Sequence, residues 1–293
     1  MHNHWRRFLP NKQQRLNEYG DARLHSLRFV AEAARLVDIL KQSTPPHGKT
    51  ALVAYYRTLL LAQTPQAVIA QWQMDAHKHG YHDREKRLYE LIDFNDSYVA
   101  LLLNAGHLAD QAFIEQLKAD MDALCRRLHT PSFSAEQFDA ITRGLAREVA
   151  VYHAAQQLGF GVHMTSRTED AFGIDMVITH PETRHELNID CKTPAAFRRR
   201  LEELVRHDHI SEADLLQADE DNFITINQHR GSEVVPVNLM CIRPDTVGEI
   251  HNFMFDEPHK IEELLNKMFA SGNRVPSSVP RKKSGRINKK VVA

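Results

Sequence analysis

Two short runs in the second half of the chain carry acidic side chains at a spacing suited to holding a divalent cation: Gly173-Ile-Asp175-Met-Val-Ile178 and Ile189-Asp190-Cys191-Lys192. Hydrolysis of a phosphodiester needs neutralised charge on the phosphate, an activated water and alignment of the two. Mg²⁺ takes oxygen ligands, commonly one or two carboxylates with waters. One carboxylate on each of two neighbouring strands, with a lysine two residues after the second, meets those needs. Alternate side chains of a strand share a face, so Asp190 and Lys192 point the same way. A hairpin of this length brings Asp175 beside Asp190. A plainer reading stands next to this one. His185, Leu187, Ile189 and Cys191 form one face and Glu186, Asn188, Asp190 and Lys192 the other, as on any half-exposed strand. Asp175 alone reads more readily as a turn or strand-start residue.

Glu148 favours the chemical reading. On an ideal helix at about 100° per residue, with Ile141 at zero, Leu145 falls near +40°, Tyr152 near +20°, Ala155 near −40° and Glu148 near −20°. The glutamate therefore lies within the apolar stripe. A buried carboxylate must be paired, protonated or bound to metal, because leaving it charged and alone costs several kcal/mol. A structural salt bridge, for instance to Lys192, is the alternative.

The elements that must position these residues follow from periodicity. Residues 11 to about 128 read as helices throughout: Leu24 to Ile39, Lys49 to Ala62, Pro65 to His79, Asp83 to Asn104 and Ala109 to Leu128. Ser134-Ala-Glu-Gln137 has the form of a capping box opening a helix that runs to about Leu158 and stops at Gly159. Strands are expected at Phe160 to Thr168, Gly173 to Thr179 and His185 to Thr193. Thr193-Pro194 then starts a helix through Phe197, Leu201, Leu204 and Val205. Strands over Asn222 to Gln228 and Val234 to Ile242 and a helix from Pro258 to Phe269 complete the order. The fold class is α/β, divided into a helical domain over 1–130, an α/β domain over 131–272 and a basic, flexible tail over 273–293.

A helix glutamate, then Gly-Ile-Asp, then Asp-x-Lys, in α-β-β-β-α-β order, resembles the PD-(D/E)XK nuclease superfamily over about residues 134 to 245. The resemblance implies a restriction-endonuclease-like core and a Mg²⁺- or Mn²⁺-dependent nuclease, with DNA favoured over RNA as the substrate. It implies that Asp175, Asp190 and Glu148 bind metal, with the backbone carbonyl of Cys191 as a further ligand. Lys192 would orient or deprotonate the attacking water. One departure is that Ile174, not proline, precedes Asp175. Arg198, Arg199 and Arg200 on the next helix are candidates for gripping the nucleic-acid backbone, or else a solvated face paired with Glu202 and Glu203. The alternative to a nuclease is an inactive protein of this fold that binds nucleic acid or protein; the presence of all four site residues argues against decay. The helical half could recognise substrate, bind a partner or form a homodimer.

Composition narrows the remaining classes. No apolar run reaches the roughly 18 residues of a membrane span. Met1-His-Asn-His-Trp-Arg-Arg is not followed by a secretory core, so a cytoplasmic setting is expected. Three scattered cysteines suggest neither a disulfide framework nor a Cys-rich zinc site. The net charge of −1 conceals an asymmetry. Residues 274–293 hold seven basic side chains, Lys282 and Lys283 among them, and no acidic one, which leaves 30 basic against 38 acidic in the body. Such a tail either adds phosphate affinity or keeps the protein soluble. His47-Gly-Lys-Thr50 lacks the first glycine and the strand of a phosphate-binding loop. His207-Asp-His209 lacks a third ligand.

Overall fold

A computed structural model describes residues 31–76, 84–230 and 233–272, residue 32 excepted. Leu24, Leu27, Val30, the end of the helix expected to reach His79, Lys282, Lys283 and the basic tail lie outside the described residues.

The first half is helical, as its periodicity requires. Helix α1 (33–42) leads into α2 (Lys49–Ala76), which turns back along α3 (Arg84–Ala105). Two separate helices meeting at Pro65 are expected from the sequence; α2 instead continues through that residue. Proline inside a helix costs about 3 kcal/mol. Leu60, Ala67 and Val68 on either side are buried in one core, and keeping all three there outweighs that cost. A 3₁₀ turn (Gly106–Leu108) precedes α4 (Gln111–Arg127), whose first turn is capped by Asp110 accepting from the Phe113 N–H.

Helix α5 (Ala135–Gln157) begins at the expected capping box: Ser134 Oγ accepts from the Gln137 N–H, and the Gln137 side chain accepts from the Ser134 N–H. It ends where Gly159 takes φ +83°. Its first half supplies Phe138, Leu145 and Val149 to the helical core, alongside Phe94, Tyr98, Leu102 and Met121. Its second half packs Ala150, Val151, Ala154 and Ala155 against the sheet. One helix thus belongs to both cores, and Glu148 lies where they meet. Ser134→Ala is expected to lower stability by about 1 kcal/mol. A urea titration should show a lower midpoint at unchanged m.

The remaining elements are β1 (Gly161–Met164), α6 (Arg167–Ala171), β2 (Met176–Thr179), β3 (Glu186–Lys192), α7 (Pro194–Arg206), α8 (Glu212–Asp221), β4 (Phe223–Arg230), β5 (Glu233–Cys241), α9 (Pro244–Val247), β6 (Ile250–His251), β7 (Met254–Phe255) and α10 (Pro258–Ser271). The sheet order is β1-β2-β3-β5-β4. Only β3 and β5 run parallel within it; the other pairs are antiparallel. Helices α5 and α10 cover one face, and α7 and α8 the other. The architecture is a mixed α/β sandwich of three layers fused to a helical unit. No helix of the described residues is long and apolar enough to cross a membrane.

Two differences from the expected elements share a cause. Ser166-x-x-Glu169 and Ser211-x-x-Asp214 both form capping boxes. The first ends β1 early and starts α6, where a strand to Thr168 was expected. The second starts α8, which was not anticipated.

Candidate metal centre

Strand β3 lies inside the sheet, between β2 and β5. Asp190 sits opposite Leu239 of β5 and is 5% exposed. A solvated face is therefore not its environment. Its partner is Lys192, two residues on, whose Nζ forms an ion pair with Asp190 Oδ1. The intervening Cys191 turns toward the α5 side. Alternation along the strand thus gives the shared face expected of Asp190 and Lys192.

Asp175 stands one residue ahead of β2 yet belongs to the ladder. Its N–H donates to Ile189 O at 2.8 Å, and its own carbonyl accepts from the Thr165 N–H at 3.1 Å. Its carboxylate accepts the Cys191 N–H at 2.6 Å, and Asp190 is close enough to act on it. The two aspartates are therefore immediate neighbours, as the hairpin argument requires.

The turn before Asp175 depends on Gly173, at φ +74°. A Cβ there would lie 3.5 Å from Asp190 Oδ2, an ordinary contact, so the cost of Gly173→Ala is the backbone's. That substitution is expected to destabilise the fold by about 1–2 kcal/mol. Chemical denaturation checks it, and an unchanged midpoint would show that the turn relaxes.

Electrostatics tie Glu148 to this group. Burial raises its carboxyl well above the usual range; Asp175 and Asp170 push it further, and Lys192 works against them. Asp175 is raised by burial, against the pull of Lys192 and the Cys191 N–H. Asp190 is raised to about 8 by burial and by Asp175. Burial works to lower the lysine, but Asp190 and Asp175 outweigh it, and the Lys192 ammonium is held above its usual value. Helix α5 and strands β2 and β3 thus bring together Glu148, Asp175, Asp190 and Lys192.

Asp170 joins them without having been anticipated. It ends α6 and is raised to about 7, by burial first and then by Asp175 and Asp96. The one signal for it in the sequence is the Ser166-x-x-Glu169 capping box, which implies a helical turn just before Gly173. Asp96, from α3, shows that the helical half contributes charge to the site.

Among the described residues, no three His, Cys, Asp or Glu side chains stand as a ready-made metal-binding group. Asp190 is turned into its pair with Lys192, and Asp175 into the Cys191 N–H. The donor types nevertheless suit a hard divalent cation: carboxylate oxygens whose pKa values burial raises, beside the Cys191 backbone. Binding would redirect carboxylates that now hold internal partners.

The arginines of α7 are engaged on the surface. Arg198 pairs with Glu202 and Asp219, and Arg200 with Glu203. Arg199 is exposed. Only Arg200 borders the site, lining a cleft with Asp190 and Lys192. His207 and His209 lie in a separate cleft with His229 and form no metal group. Lys49 opens α2 after Gly48 at φ +94°, with no strand before it among the described residues.

No family model matches the chain, and no curated protein or solved structure matches it.

Proposed function

We propose that this protein is a Mg²⁺- or Mn²⁺-dependent nuclease that hydrolyses phosphodiester bonds of nucleic acid, with DNA the first substrate to test. One observation carries the reading: carboxylates from one helix and two adjacent strands crowd around a single lysine, each raised by burial and most by its neighbours. Such crowding opposes folding and is offset when a divalent cation is bound. The succession α5, β1, β2, β3 and α7, with α6 inserted between β1 and β2, and a β5 that pairs parallel with β3 after α8 and β4, supports the same reading.

Glu148, Asp175, Asp190 and the Cys191 carbonyl are the residues that would hold the cation. When bound, it supplies charge neutralisation at the phosphate and a more acidic water. With Asp190 engaged by a cation, Lys192 would be free to present its ammonium to the attacking water or to a phosphate oxygen. Asp170 stands beside them as a further carboxylate. Burial of the group excludes bulk water, so each charge acts more strongly than it would at the surface.

The test separates binding from chemistry. Lys192→Ala is expected to cut DNA about a hundredfold more slowly while keeping the thermal stabilisation that Mg²⁺ gives the parent. That stabilisation is about 2.7 kcal/mol at a hundred times Kd. Equal cleavage by parent and variant would assign the activity elsewhere. No divalent-dependent stabilisation of the parent would remove the metal site.

A further inference from the structure

The carboxylates line two recesses of the protein. Glu148, Asp170 and Asp175 line a chamber of about 570 Å³ whose opposite wall is α3 of the helical half. Asp190 and Lys192 line a second cavity of about 340 Å³ on the other side. Asp170 borders both, so the acidic cluster stands between two compartments.

We infer that the nucleotide beside the scissile bond sits unpaired in this chamber, so that the substrate is single-stranded or locally opened nucleic acid. This rests on the nuclease reading above and names the substrate class of the same site. Three features carry it.

The first is size. Both volumes fall in the roughly 300–1,000 Å³ range that encloses a small ligand. A base pair with its second strand attached cannot follow the phosphate into such a space. An unpaired base enters at no unstacking cost, whereas drawing one from a duplex costs a few kcal/mol.

The second is the lining. The α3 wall presents Asn95, Ser97 and Asn104, and α5 presents Tyr152 and Gln156. These uncharged amides and hydroxyls suit the hydrogen-bonding edge of a base. Leu59, Val99, Leu103 and Met164 supply apolar surface for its faces.

The third is the division of charge. The chamber's lysine, Lys41, is tied to Asp93 at 2.9 Å. Five carboxylates line that chamber, Asp93, Asp96, Glu148, Asp170 and Asp175, whereas the second cavity sets Lys192 and Arg200, each paired with one acid, against Asp170 and Asp190. A base on one side of the acids and backbone phosphates on the other is the arrangement these linings favour.

Full-length protein in Mg²⁺ should be given three DNAs of one sequence: a linear single strand, a covalently closed relaxed duplex circle, and that circle with a short single-stranded gap. The inference expects the single strand and the gap to be cut at least tenfold faster than the closed circle, with cuts in the gapped circle falling at the gap. Deoxyadenosine monophosphate should compete with the single strand, and Asn104→Leu should weaken that competition. A closed circle cut as fast as the single strand overturns the inference and leaves the nuclease reading standing. So does competition unaffected by Asn104→Leu. Failure to cut any of the three overturns both.

Discussion

Asp190→Asn is expected to lower divalent-dependent cleavage about a thousandfold, roughly 4 kcal/mol of transition-state stabilisation, while making the metal-free fold more stable. The two effects have one origin. Asp190 is almost fully buried beside Asp175, with Asp170 and Glu148 close enough to act on it. An amide there has neither to be buried charged nor to take up a proton on folding, so the cost of holding an acid among these groups is removed. Lys192 loses its closest partner but keeps Asp175 and is partly exposed, so little of that gain is lost. The gain is put at about 1 kcal/mol or more near neutral pH, since each unit of pKa shift corresponds to about 1.4 kcal/mol. Stabilisation by Mg²⁺ should fall in the same variant. Parallel cleavage assays and melting curves with and without Mg²⁺ provide the check. A variant that cuts normally, or whose metal-free form is several kcal/mol weaker, would mark Asp190 as half of a structural ion pair.

The second large effect is on the pH dependence of stability. Asp190 and Asp170 are raised from 3.8 to about 8 and about 7, and Asp175 and Glu148 are raised as well. Between the unfolded and folded values, the folded protein holds protons that the unfolded chain has released. The unfolding free energy therefore falls as pH rises through that interval, by about 1.4 kcal/mol per pH unit for each such proton. Metal-free protein should be more stable near pH 5 than near pH 8. Saturating Mg²⁺ should reverse the trend, because the cation favours the ionised carboxylates. Urea denaturation at several pH values, with Mg²⁺ or with chelator, reads both slopes. A metal-free stability that rises from pH 5 to 8 would mean the carboxylates are not crowded as described.

The parts of this site that rest on local periodicity were legible in the sequence. A spacing of two put Asp190 and Lys192 on one strand face, and a spacing of seven from Ile141 put Glu148 on the buried stripe of α5. The cap at Ser134 followed from side-chain chemistry within four residues. What was not legible depends on contacts between distant segments. Helix α6 spans only Arg167–Ala171, too short for a periodic signal, so Asp170 was missed although its cap resembles that of α5. Helix α2 runs through Pro65 because the surrounding core outweighs a local preference for a break. The helical half carries no catalytic pattern of its own, yet α3 supplies Asp96 and the wall of the chamber. No local reading could place that wall opposite Glu148.

Crystals grown with Mn²⁺ offer the most direct measurement, because anomalous scattering locates the ion without reference to any assumed site. The account predicts one strong peak within coordination distance of Asp175 and Asp190, with the Glu148 carboxylate turned toward it and Lys192 alongside. Mn²⁺ seated elsewhere, or no bound ion at concentrations that support cleavage, would contradict it.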